Sequence, residues 1–278
     1  MKRILTIQDI SCVGKCSLTV ALPIISAAGV EASVLPTAVL STHTMFPKYT
    51  FLDLTDEITP ITDTFRELDI GFDAVYTGYL GSFRQIELVE RAFEQAGEGC
   101  LTVVDPVMAD NGKLYKGFTE EFAARMAKLC ARADVVLPNL TEASFMLGIP
   151  YTEEYVEEYV RDVLRRLCAL GARCAALTGI RLNEGKIGVY AYHSDTDTFF
   201  FYDNELLPVS FHGTGDIFAS AFLGAHMRGL SIDEALTLAV DFTLESMKKT
   251  LADSHHRFYG VNFEEAIPLY VQRLSHLS

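Results

Sequence analysis

Short apolar runs alternate with amphipathic, helix-spaced runs through most of this chain, and that rhythm leaves few folds open. Ile4, Leu5 and Ile7 read as a strand over 3–8, and a helix over 17–28 follows, closed by Gly29. The spacing then predicts strands over 32–36, 72–77, 100–104, 135–137 and 174–177. Helices over 56–68, 83–95, 120–131 and 153–170 come between them. Such alternation predicts a mostly parallel central sheet with helices on both faces, a three-layer α/β/α fold. At 186–192 and 198–202 the residues alternate as in one small antiparallel hairpin, and no large lid is visible. Helices over 231–251, capped by Ser231, and over 263–274 come last. No repeat, low-complexity tract or linker interrupts 1–278, which is expected to form a single domain.

The bulk composition narrows the function. A hydrophobic fraction of 49% is ample for a buried core. The net charge of -14, from 23 basic and 37 acidic residues, argues against general nucleic-acid affinity. It leaves room for a nucleotide substrate, whose phosphates Mg²⁺ and backbone N–H groups can hold. No apolar run is long enough to span a bilayer, and the N-terminal stretch reads as a strand rather than a signal peptide. Cys12, Cys16, Cys100, Cys130, Cys168 and Cys174 form no CxxC pair, which suits reduced thiols in a cytoplasmic protein.

Chemistry concentrates at the turns. Gly213, Thr214 and Gly215 open directly onto the apolar helical run Ile217, Phe218, Ala221, Phe222, with Asp216 in its first turn. Glycines there let backbone N–H groups converge into an anion site, and Asp216 could deprotonate a hydroxyl beside it. Taken alone, the same residues also suit a capped helix after a loop. Asp9 and Ser11 follow the first strand, where open α/β sheets bind ligands, but turn-forming and capping explain them equally. His43 and Thr44 lie in a polar stretch with aromatic members that reads as a pocket lip, and Tyr79 sits between Gly78 and Gly81 at a strand end. Asp105 ends a buried strand before Pro106, well placed for a hydrated Mg²⁺ or for a turn. Asn139 and Glu142 can handle phosphate and metal, or form a capping box. Thr178 and Gly179 follow the sixth strand. All these turns are expected along one edge of the sheet.

Together they resemble the ribokinase superfamily, and within it the pyridoxal kinase branch. Gly213-Thr214-Gly215-Asp216 resembles the superfamily's anion hole and catalytic base, Asn139-Leu140-Thr141-Glu142 its NxxE motif, and Asp105-Pro106-Val107-Met108 its DPVM strand end. The stretches 37–44 and 78–82 are similar to vitamin B6 kinases in particular. The resemblance implies ATP-dependent phosphorylation of the 5′-hydroxymethyl group of pyridoxal, pyridoxine or pyridoxamine. It implies Asp216 as base, with Gly213, Thr214 and Gly215 stabilising the moving phosphoryl group. Asp105 and Glu142 would organise Mg²⁺ largely through water, with Asn139, Thr178 and Gly179 along the nucleotide phosphates. Asp9, Ser11, His43, Thr44 and Tyr79 would line the pyridine pocket. Family members are commonly homodimers, and many use a monovalent cation, typically K⁺. The chain departs from the family where Asp9 stands in place of a serine after Ile7-Gln8, and its charge would favour an amine-bearing vitamer. A hydroxymethylpyrimidine kinase is the nearest rival, although the first loop here lacks that branch's GGAG-type stretch. A catalytically silent B6-binding protein is the rival from another class.

Overall fold

A computed structural model describes residues 1–277. Its first half runs β1 (Arg3–Ser11), α1 (Leu18–Ala27), β2 (Glu31–Leu40), β3 (Phe51–Asp53), α2 (Thr55–Glu67), β4 (Ala74–Thr77), α3 (Phe83–Gln95) and β5 (Leu101–Val104). A miniature hairpin of β6 (Ala109–Asp110) and β7 (Lys113–Leu114) follows, then α4 (Glu120–Cys130), β8 (Val135–Val136), α5 (Leu140–Leu147) and α6 (Glu157–Ala169). The last elements are β9 (Cys174–Ile180), β10 (Lys186–His193), β11 (Thr198–Glu205), α7 (Thr214–Met227), α8 (Ile232–Ala252) and α9 (Ile267–Leu277). They form two compact units: residues up to Asp73 together with those from Leu207 onward, and Ala74–Leu206.

In the first unit β1 pairs in parallel with β2, and β3 lies antiparallel on β2. β1 does not stop at Gln8, because Ile10 and Ser11 still pair with Val39 and Leu40. Asp9 and Ser11 therefore belong to the end of the strand rather than to the loop. The register shifts between Gln8 opposite Pro36 and Ile10 opposite Val39, so β2 carries one extra residue. Pro36 has no N–H for the ladder, and a bulge beside a site re-aims the side chains around it. β2 also takes in 37–40, part of the expected pocket lip. β3 escaped the sequence reading because its three residues are all exposed and show no alternation. α7 is buried from Ile217 to Ala225, apolar on nearly every side, and packs against α1 and α8.

In the second unit the strand order is β11-β10-β9-β8-β5-β4. β4, β5, β8 and β9 are parallel, and β10 with β11 forms the antiparallel hairpin. α6 starts at Glu157, four residues later than the apolar spacing predicts. Thr152 Oγ1 accepts the Glu154 N–H at 3.1 Å and donates to the Glu154 carbonyl at 2.8 Å, a local turn that competes with the helix. β9 runs to Ile180, which puts Thr178 and Gly179 inside the strand instead of after it. All six cysteines are free, and no helix among the described residues is long and apolar enough to cross a membrane.

Candidate active site

The first unit builds its site where α7 begins. Gly213 caps the helix in the left-handed region (φ 80), and no side chain caps the free end. A Cβ at Gly213 would overlap the Lys15 carbonyl oxygen, so this turn lies directly against the first loop. The opening N–H groups of a helix have no intrahelical partner, and with the dipole behind them they favour an anion. Thr214 Oγ1 donates to the Phe211 carbonyl at 3.3 Å and ties the turn together. Asp216 follows in the first turn. The residue keeps some contact with solvent, yet protein atoms crowd its carboxyl. Burial first, and then the charge of Asp9, push its pKa up to about 7 against the opposing pull of the Ser17 N–H.

Asp9 is buried at the end of β1 and accepts the Ser17 hydroxyl at 2.7 Å. Burial raises its pKa too, partly offset by Ser17, its own N–H, His43 and Ser11. Ser11 is fully buried and accepts the Cys16 thiol at 3.8 Å. His43 is also buried, and both its ring nitrogens are engaged. Nδ1 accepts the Met45 N–H at 3.1 Å, which leaves Nε2–H to donate to the Tyr259 carbonyl at 3.0 Å. His43 therefore has no free ring nitrogen to offer a ligand. Thr44 stands exposed on the turn beside it. Asp9, Ser11 and Asp216 thus form one cluster, joined through Ser17 and Cys16, and Thr44 lies outside it.

Sequence reasoning missed Lys15 and Ser17. Lys15 Nζ bonds Glu264 at 2.8 Å and Asn262 Oδ1 at 3.2 Å, and its N–H reaches the Tyr259 carbonyl at 3.3 Å. These bonds clasp the first loop to a segment more than two hundred residues away, a pairing that no local pattern could announce. Ser17 did carry a local signal, since a serine at a helix start invites attention. Its bond, however, goes backward to Asp9 and not forward to the helix.

The second unit places Glu142 at its hub. Glu142 is buried on α5, where Oε2 accepts the Asn139 N–H at 2.9 Å and Oε1 the Met108 N–H at 3.0 Å. Asn139 Oδ1 accepts the Glu142 N–H at 2.9 Å, completing a capping box, while Asn139 Nδ2 donates to the Ala109 carbonyl at 2.8 Å. The capping reading and the site reading of this motif therefore describe the same bonds. Burial pushes the Glu142 pKa up, although main-chain N–H groups of Asn139, Met108 and Ala109 favour the anion. Asp105 is buried at the end of β5, its N–H held by the Thr77 carbonyl at 2.9 Å. Its charge and that of Glu142 both raise the Cys130 thiol pKa, after burial. The loop after Asp105 is strained, with the β-branched Val107 at φ 30. Thr178 pairs with Asn139 in an isolated parallel bridge, and Gly179 beside it has φ 73. Tyr79 is half-buried against Phe118 at 5.6 Å, and its turn leads to Ser82, which caps α3.

The hard oxygen donors of Asp105 and Glu142 fit a divalent ion such as Mg²⁺. Because both Glu142 oxygens already accept main-chain bonds, the fit is to an ion held largely through its own water.

Four similarities to known proteins bear on what this arrangement does. A family model described as phosphomethylpyrimidine kinase matches residues 22–260. A crystal structure from Bacteroides thetaiotaomicron, provisionally called a phosphomethylpyrimidine kinase and crystallised with pyridoxal, is 38% identical. It superposes at a TM-score of 0.92 and covers 97% of this chain and 95% of its own. Pyridoxal kinase from Lactobacillus plantarum is 29% identical, with a TM-score of 0.91 over 99% of both chains. It shares the three-layer α/β/α fold with its largely parallel sheet and small antiparallel hairpin. Pyridoxine kinase of Bacillus subtilis is 28% identical over 75% of this chain and 73% of its own length.

Proposed function

The chain belongs to the phosphomethylpyrimidine kinase family, and from that membership we propose that it phosphorylates the 5′-hydroxymethyl group of a vitamin B6 vitamer with ATP. The observation that carries this reading is the Asp216 carboxyl beside an uncapped helix start, with the buried carboxyl of Asp9 next to it. Asp216 takes the proton from the vitamer hydroxyl. The new O–P bond forms as the bond from the γ-phosphorus to the departing ADP oxygen breaks. The N–H groups of Gly213, Thr214 and Gly215 meet the charge on the moving phosphoryl group. Asp9, Ser11 and His43 receive the pyridine ring. Asn139, Thr178 and Gly179 serve the nucleotide phosphates.

Asp105 and Glu142 would hold Mg²⁺ through its water, and the ion would supply charge neutralisation at the nucleotide phosphates. K⁺ dependence, a homodimer, a cytoplasmic location and one kinase domain across the whole chain complete the reading by analogy with the family.

The family model's own description favours a second reading, phosphorylation of a hydroxymethylpyrimidine. A coupled ADP-release assay with pyridoxal, pyridoxine, pyridoxamine and hydroxymethylpyrimidine tests both. The vitamers are expected to show the higher kcat/KM. A preference for the pyrimidine would replace the first reading with the second, and no ADP from any of them would leave a silent binding protein.

A further inference from the structure

Ser17 precedes α1 with φ 50 and ψ -132, a backbone conformation that serine seldom adopts. Helix capping does not explain it, because its hydroxyl accepts no helical N–H. Backbone strain of this kind persists only where the surroundings fix it. Two carboxylates do so here. The Ser17 hydroxyl donates to Asp9 Oδ1 at 2.7 Å within the core, and the Ser17 N–H favours the ionised Asp216 carboxyl.

We propose that Ser17 is a positioning residue that fixes Asp9 beside Asp216, so that a positive group docking on Asp9 readies Asp216 to take the substrate's hydroxyl proton. This rests on the reaction proposed above. The coupling follows from elementary electrostatics. Two neighbouring buried carboxyls each make ionisation of the other harder, and they titrate as a pair. Consistent with that, the Asp9 charge is among the causes that raise Asp216. A cation on Asp9 cancels its charge, and Asp216 then gives up its proton at lower pH.

The other titratable groups of this unit facing these two acids do not supply that cation. Cys16 carries a thiol pushed up to about 12 by burial and then by both acids, and so stays neutral. Lys15 is committed to Glu264 and Asn262. His43 acts on Asp9 electrostatically, but both its ring nitrogens are bonded, and His212 stacks beside it at 6.4 Å. The positive group is therefore left to the substrate, and the amine of pyridoxamine fits.

The test follows the Asp216 carboxyl by carbon NMR titration of the intact protein without nucleotide, alongside pH profiles of kcat/KM. Pyridoxamine is expected to lower the Asp216 midpoint by about half a pH unit or more in wild type. Asp9→Asn is expected to lower the midpoint similarly without ligand and to abolish the pyridoxamine response. Ser17→Ala and Ser17→Gly should each cut kcat about tenfold and leave KM for ATP unchanged. The glycine relieves the backbone strain, so a loss shared by both variants belongs to the hydroxyl. A midpoint that moves neither with bound pyridoxamine nor with Asp9→Asn, or full kcat in both Ser17 variants, overturns the proposal. A wild type that turns over no vitamer would refute the assigned reaction, while the titrations would still decide whether the two acids are coupled.

Discussion

Asp216 combines two properties that pull against each other. A base must be ionised to accept a proton, yet burial and the nearby Asp9 hold Asp216 protonated up to a pKa of about 7. Activity should therefore rise with pH through about 7, and a kcat/KM profile with its acidic limb near 4 would contradict the assignment. The stability effect has the opposite sign. Between the ordinary value of 3.8 and about 7 the folded chain keeps a proton that the unfolded chain has released. Stability from this group is thus lost as pH rises through that window. Asp216→Asn removes the burden, so it should cost ~10²–10⁴ in rate yet melt higher than wild type at pH 8. Rates near wild type, or a lower Tm at that pH, would count against the base. Asp216 was legible in the sequence because a glycine turn, an acid and an apolar helix adjoin in a dozen residues. Lys15 was not, because its meaning lies in Asn262 and Glu264, which only the folded chain brings near.

Among the elements, helices were the most readable. The span predicted for α3 coincides with the observed Phe83–Gln95, since Ser82 and the apolar spacing mark it unambiguously. The ends of β1, β2 and β9 were read short, because a polar residue such as Asp9 looks like the start of a loop although pairing continues past it. The two turns that open α5 and α7 make contrasting predictions. At Gly213 a side chain would meet the Lys15 carbonyl while the backbone holds φ 80, so Gly213→Ala should cost about 1–3 kcal/mol in urea unfolding and most of the activity. At Glu142 both carboxylate oxygens accept main-chain N–H groups, one from its own helix start and one from the loop after Asp105. Glu142→Gln turns one acceptor into a donor facing a donor, at a cost of about 1–3 kcal/mol. It frees the 105–112 loop, so KM for ATP should rise more than KM for the vitamer. Equal changes in both constants would mean that the capping box serves stability alone.

At the scale of the molecule, the chain returns to its first unit at Leu207 after building a second one from Ala74 to Leu206. Alternation along the sequence revealed the strand–helix layering, but not this interruption, because each strand looks alike whichever unit it joins. The division also sorts the proposed binding residues. Asp9, Ser11, His43 and Asp216 belong to the first unit, whereas Asp105, Asn139, Glu142 and Thr178 belong to the second. A ligand that binds only the native state suppresses local opening most where it makes its contacts. Hydrogen exchange with pyridoxamine alone should therefore protect amides over 9–17 and 42–46 most strongly. ADP with Mg²⁺ should act chiefly on 105–112, 139–142 and 178–179. If pyridoxamine instead protected the loop after Asp105 and left the end of β1 unchanged, the cluster of Asp9, Ser17 and Asp216 would lose its place as the vitamer's seat.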